Sequence, residues 1–169
     1  AVLAKAKNVR VLLRQVIGVD AANRLVMLVD GSQIAWDRLI LATGSLYNYF
    51  GRPDWQRRAP SPKTIGDARE IRARLLQAFE DAEKTVDAAR RAALLTFIIV
   101  GGGPTGVEMA GTITELARHT LRDNFRQFDP ASARVILVEA GPRLLGAFPV
   151  ELADYAAQTL GKMGVEVRL

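Results

Sequence analysis

The stretch Leu94–Gly111 constrains this chain most. Phe97–Val100 is a continuous apolar run, the pattern of a fully buried parallel strand. The run stops at Gly101, Gly102 and Gly103, and Pro104 follows. Proline has no N–H and a φ already suited to the first helical position. Beyond it Val107, Ala110, Ile113, Leu116, Ala117 and Leu121 recur at helical spacing, which predicts a helix from Pro104 to about Phe125. The glycines therefore sit on a strand-to-helix turn, and Gly101, Gly103 and Gly106 spell G-x-G-x-x-G in the context that gives the motif meaning. The first glycine makes the tight turn, the second lets backbone approach a pyrophosphate, and the third lets the helix pack closely on the strand. The helix N-terminus then offers free N–H groups and a positive dipole end to phosphates.

The companion feature is an acid at the end of the next strand, where it accepts hydrogen bonds from a ribose. The next apolar run is Val135–Val138, and it ends in Glu139. Glu139 lies 33 residues after Gly106, against the usual ~20, and the long helix with a polar loop through Asp129 and Pro130 accounts for the excess.

Composition narrows the classes. Hydrophobic residues make up 49% and charged residues 24%, enough for a core and ordinary for a globular domain. The net charge is +5, but no basic cluster points to nucleic acid. No apolar run reaches the ~18 residues that a membrane-spanning helix needs. With no cysteine, the chain has no disulfide, thiolate nucleophile or cysteine-based metal site of its own, and no metal site is expected. The single His119 lies on the long helix and is assigned no role.

Before the glycine turn, Val9–Ile17 and Leu25–Val29 read as strands joined by a turn at Asp20–Asn23. Asp30-Gly31 signals a hairpin into a short third strand, Ile34–Trp36. Arg38–Ala42 reads as a fourth, buried strand that ends in Thr43, Gly44 and Ser45, a second place where backbone would approach a ligand. Residues 46–66 read as a loop whose Tyr47, Tyr49, Phe50 and Trp55 either stack on a flat ligand or, as such clusters more often do, pack a connection between domains. Residues 67–95 read as helical, with Asp67 as N-cap, Glu70 at capping-box spacing and a break near Val86 and Asp87. After Glu139 come a loop at Ala140–Arg143, a helix opened by Pro149 and closed by Gly164, and a third strand from Val165. The expected class is α/β, an antiparallel β-meander followed by a Rossmann-type βαβ half-domain.

Several of these strings together resemble the type II NADH dehydrogenases, a family within the FAD-dependent pyridine nucleotide-disulfide oxidoreductase superfamily. They are Gly101–Gly111 (GGGPTGVEMAG), Val138–Leu145 (VEAGPRLL), Trp36–Gly44 (WDRLILATG), Tyr49–Gly51, Trp55, Lys63–Ala68 and Glu115–His119. The resemblance runs over nearly the whole chain. Trp36 departs from it, since the superfamily usually has Tyr there. Members are single-subunit flavoenzymes that pass electrons from NADH through FAD to a quinone.

The resemblance implies that residues 1–45 are the end part of an FAD-binding domain, 46–66 a linker, and 67–169 the first part of an NADH-binding Rossmann domain. Gly101, Gly102, Gly103, Pro104, Thr105 and Gly106 would hold the NADH pyrophosphate, and Glu139 the adenosine ribose. Ala42, Thr43 and Gly44 would lie against the flavin, and the Val16 backbone against the FAD adenine. Glu108, early in the helix, would lie near the nicotinamide, either ordering it or assisting proton movement after flavin reduction. Arg143 would temper the discrimination that Glu139 makes between NADH and NADPH. The implied partners are a quinone and, through segments beyond Leu169, the cytoplasmic face of a membrane; homodimerisation is open and nucleic acid is not expected. The family's first flavin glycine motif would precede Ala1, so these residues read as an excerpt that neither retains FAD nor reduces a quinone alone. Two other readings stay open: another FAD- and NAD-dependent reductase of the superfamily, and a non-catalytic NADH-binding module. Ala42–Gly44 argues against the latter, which needs no flavin contact.

Overall fold

The computed structural model describes residues 6–44 and 47–169. The chain forms two compact units, Ala1–Ser45 and Leu46–Leu169.

The first unit is a meander of β1 (Val16–Asp20), β2 (Leu25–Leu28) and β3 (Gln33–Ala35), antiparallel and adjacent in that order. Both turns lie where short acidic side chains can close them onto backbone. The Asp20 carboxylate accepts from the Asn23 N–H at 3.0 Å. The Asp30 carboxylate accepts from the Ser32 N–H at 3.0 Å, beside Gly31 at φ +80°. Two expectations fail here. The first strand starts at Val16 rather than Val9. Arg38–Ala42 forms no strand, and Ile40 and Leu41 are 88% and 67% exposed. An apolar run becomes a buried strand only where a neighbour takes up its N–H and C=O groups, and no described strand lies beside this one. Ser45, read with that strand, lies outside the described residues.

The second unit opens with a connection interrupted by a short helix, α1 (Asp54–Arg58). Its aromatics are held locally. The Tyr49 hydroxyl donates to the Ala59 carbonyl at 2.9 Å, and the Arg52 guanidinium lies over Trp55 at 5.2 Å. Helix α2 (Ile65–Lys84) starts three residues earlier than Asp67 suggests. Thr64 is the N-cap: its hydroxyl accepts from the Asp67 N–H at 3.1 Å, and the Asp67 carboxylate accepts from the Thr64 N–H at 2.8 Å. Asp67 is thus the third helical residue of the capping box, and Glu70 pairs with Arg74 instead. The break before Asp87 is present, and Asp87 caps α3 (Ala88–Leu94) by accepting from the Ala89 and Arg90 N–H groups.

Strands β4 (Thr96–Val100), β5 (Arg134–Val138) and β6 (Glu166–Arg168) form a parallel sheet in that order. Phe97 stands beside Val135, Ile99 beside Leu137, and Leu137 beside Val167. These side chains share one face and pack against α4 (Pro104–Glu115) and α5 (Val150–Met163) through Ala110, Ile113 and Leu160. The other face is open on β4, where Ile98 and Val100 are 64% and 76% exposed. β4 is therefore half-covered rather than fully buried, because α4 and α5 both lie on one face of the sheet. Arg134 and Arg168 flank Glu166 on the opposite face at 2.9 and 2.6 Å.

The expected helix to Phe125 is α-helical only to Glu115. Leu116–Thr120 widens into a π turn, closed by the Leu121 N–H on the Leu116 carbonyl at 2.9 Å. The chain is then drawn aside. The Glu83 carboxylate accepts from the Arg126 and Gln127 N–H groups, both at 3.0 Å. Phe125 and Phe128 stack on Phe79 at 5.8 and 6.4 Å, and Phe97 joins from the sheet at 5.4 Å. Phe79 is fully buried at the centre of this second core. We expect Phe79→Ala to cost about 3–5 kcal/mol of stability by denaturant unfolding, the range for a deleted core aromatic. Val86→Ala, at a side chain 98% exposed, should leave the unfolding midpoint unchanged.

Candidate functional site

The site forms where β4 ends against α4. Gly101 leaves the strand at φ +108°, a backbone region closed to most side chains, while its N–H still bonds the Val138 carbonyl at 2.8 Å. Gly103 is the N-cap of α4 and carries no capping side chain, and Pro104 is the first helical residue. The first helical bond runs from the Val107 N–H to the Gly103 carbonyl at 3.0 Å, so earlier N–H groups of the turn have no intrahelical partner. A Cβ on Gly103 would meet nothing within 4 Å, so open space lies where a ligand would approach. A Cβ on Gly106 would lie 1.8 Å from the Gly101 carbonyl oxygen. The third glycine is thus a steric requirement: any side chain there pushes helix and strand apart.

Glu139 stands at the other side of the turn, partly buried at the end of β5. One carboxylate oxygen accepts from the Gly102 N–H and the other from the Gly141 N–H, each at 2.6 Å. These two backbone donors, Gly102 first, hold the carboxyl below the usual glutamate range, against the opposing effect of burial. The group is ionised near neutrality and brings a fixed negative charge to the edge of a positive helix end.

The structure brings Gly101, Gly102, Gly103, Pro104, Thr105, Gly106 and Glu139 together. The uncapped helix start, the open side of Gly103 and the acid at the adjacent strand end fit the diphosphate and ribose of a dinucleotide. Glu108 is exposed on the second turn of α4, and its side chain makes no hydrogen bond or ion pair among the described residues. Val16, Ala42, Thr43 and Gly44 belong to the first unit and are exposed, with Gly44 at φ +77°. Sequence reasoning missed Leu144 and Leu145. Leu144 is buried against Gly102, and the Leu145 N–H donates to the Gly102 carbonyl at 2.8 Å. Their signal was an apolar pair inside an otherwise loop-like segment. Arg143 donates to the Gly146 carbonyl at 2.8 Å, and its Nη1 is buried without a partner among the described residues.

The family model described as "Pyridine nucleotide-disulphide oxidoreductase" matches residues 2–169. The chain belongs to this family. It is 48% identical over 171 residues to the type II NADH:quinone oxidoreductase Ndh of Mycobacterium tuberculosis, covering 99% of this chain and 37% of that protein. It is 46% identical over 171 residues to NdhA of the same organism, covering 99% and 36%. The chain thus spans just over a third of the length of these relatives. In three dimensions it is similar to NDH2 from Plasmodium falciparum solved in complex with NADH, with a TM-score of 0.71 at 22% identity, over 93% of this chain and 33% of that one. That likeness shows the fold. No helix among the described residues is long and apolar enough to cross a membrane.

Gly106→Ala tests the site's geometry. We expect it to abolish nucleotide binding measured by calorimetry, because the added methyl displaces α4 from the turn. Gly161→Ala, in a helix and facing open space, should bind nucleotide as the parent does.

Proposed function

We propose that this chain is the nucleotide-handling part of an FAD-dependent enzyme that passes electrons from NADH to a quinone. The observation that carries the reading is the uncapped start of α4, with Gly103 open on one side and the ionised Glu139 on the other. The identity to Ndh and NdhA, both named as NADH:quinone oxidoreductases, supports the choice of reaction. On this reading residues 1–45 belong to the flavin-binding part, 46–66 to a linker and 67–169 to the NADH-binding part. Val16, Ala42, Thr43 and Gly44 meet the flavin. The quinone is met by segments outside these residues, on the cytoplasmic face of a membrane.

Hydride transfer is chemistry that the bound nicotinamide and flavin supply. The chain's own residues bind and orient. The N–H groups at the start of α4 hold the diphosphate, with the helix dipole favouring its charge. Glu139 accepts the ribose hydroxyls with the carboxylate lone pairs that Gly102 and Gly141 leave free. Its charge repels a 2′-phosphate, and Arg143 nearby tempers that repulsion. Glu108 lies further along the helix, away from the phosphate grip, where it orients the nicotinamide or moves a proton.

Two measurements on the intact protein follow. Quinone reduction should show a higher kcat/KM with NADH than with NADPH, and Glu139→Gln should narrow the ratio by about tenfold. Equal values in the parent protein would overturn the assignment. Glu108→Gln should lower kcat by roughly 10²-fold while KM for NADH holds, as expected for a group acting in a step after binding. Full activity in that variant would make Glu108 structural.

A further inference from the structure

We infer that the loop between β5 and α5 is a clamp that sets the shape of the glycine turn, with Leu144 and Leu145 as positioning residues for the nucleotide. The inference rests on the NADH reading above, but its residues lie outside the phosphate grip. Gly102 is the residue between the first two glycines of the motif, and one loop holds it on three sides. Its N–H is taken by Glu139 at 2.6 Å, and its carbonyl by the Leu145 N–H at 2.8 Å. Its Cα is backed by Leu144, whose Cδ2 lies 2.5 Å from where a Cβ would stand. With its N–H, its carbonyl and its Cα all held, Gly102 restrains the peptide planes on both of its sides. Rotation there is the motion that would swing Gly103 and the first N–H groups of α4 out of register with a diphosphate.

Leu145 itself supplies a second observation. It has φ +50°, a left-handed conformation that strains a leucine. In that conformation its N–H meets the Gly102 carbonyl, while its own carbonyl accepts from the Phe148 N–H at 2.8 Å. The strain is held in place by Leu144, buried in the core with Ala110 and Leu137. Backbone strain is thus stored beside the turn.

The test uses the intact protein and three readouts: residue-resolved amide exchange, NADH affinity by calorimetry and steady-state kinetics. Leu144→Ala should speed exchange of the Gly102 amide and raise the Kd and KM for NADH about tenfold. Its kcat at saturating NADH, and the exchange of α2 amides around Phe79, should stay at parent values. Leu144→Met, which refills the space, should restore protection and affinity. Parent-like exchange and affinity in Leu144→Ala would overturn the clamp, and so would deprotection spread evenly over both cores. If Leu144→Ala does not fold, Leu144→Val gives the same comparison in reduced size. If the parent protein binds no NADH, the reading under Proposed function falls. The clamp is then judged on exchange alone, where loss of Gly102 protection supports it and retention overturns it.

Discussion

The contact between Gly106 and the Gly101 carbonyl is the constraint on which the second unit depends. With no room for even a methyl group between them, α4 begins directly against the end of β4. That approach places the positive end of α4 at the tip of the parallel sheet. It also seats Ala110 and Ile113 on Val135 and Leu137, so the main core and the ligand-facing turn arise from one packing decision. A sheet built this way puts its binding site at the carboxyl ends of its strands, where loops are free to vary without disturbing the core.

Glu139 ties that turn to the next strand by electrostatics. A carboxylate between two backbone N–H groups satisfies donors that a buried turn would otherwise leave unpaired. The coupling is pH-dependent in a definite sense. Because the folded-state pKa is depressed, the stabilisation is complete above the ordinary glutamate value and fades as pH falls through the lower, folded one. The turn is therefore fully tied at neutrality, where a ribose would have to share this carboxylate.

Away from the site, the molecule relies on local chemistry and one aromatic cluster. Thr64 with Asp67, and Asp87 with Ala89 and Arg90, start their helices independently of what those helices pack on. The Phe79 cluster does the opposite. It gathers α2, β4 and the segment after the π turn, which lie far apart in sequence. The π turn itself carries the chain off the α-helical axis toward that cluster.

Local pattern by itself determined the strand, glycine turn, helix, strand and acid, since each depends on residues near one another in the chain. It also placed both turns of the meander and the break at Asp87, because Asp and Gly act on backbone within three or four residues of themselves. Resemblance added the family, whose model covers nearly the whole chain. Only the tertiary structure decided which apolar runs are buried. Arg38–Ala42 reads like a core strand, yet Ile40 and Leu41 stay exposed, because burial belongs to the neighbour and not to the run. The same holds for Ile98 and Val100 on the open face of β4. Tertiary structure likewise decided that Glu139 bonds Gly102 and that Leu144 and Leu145 hold it, since hydrogen-bond partners some 40 residues apart meet only once the parallel register of β4 and β5 is set.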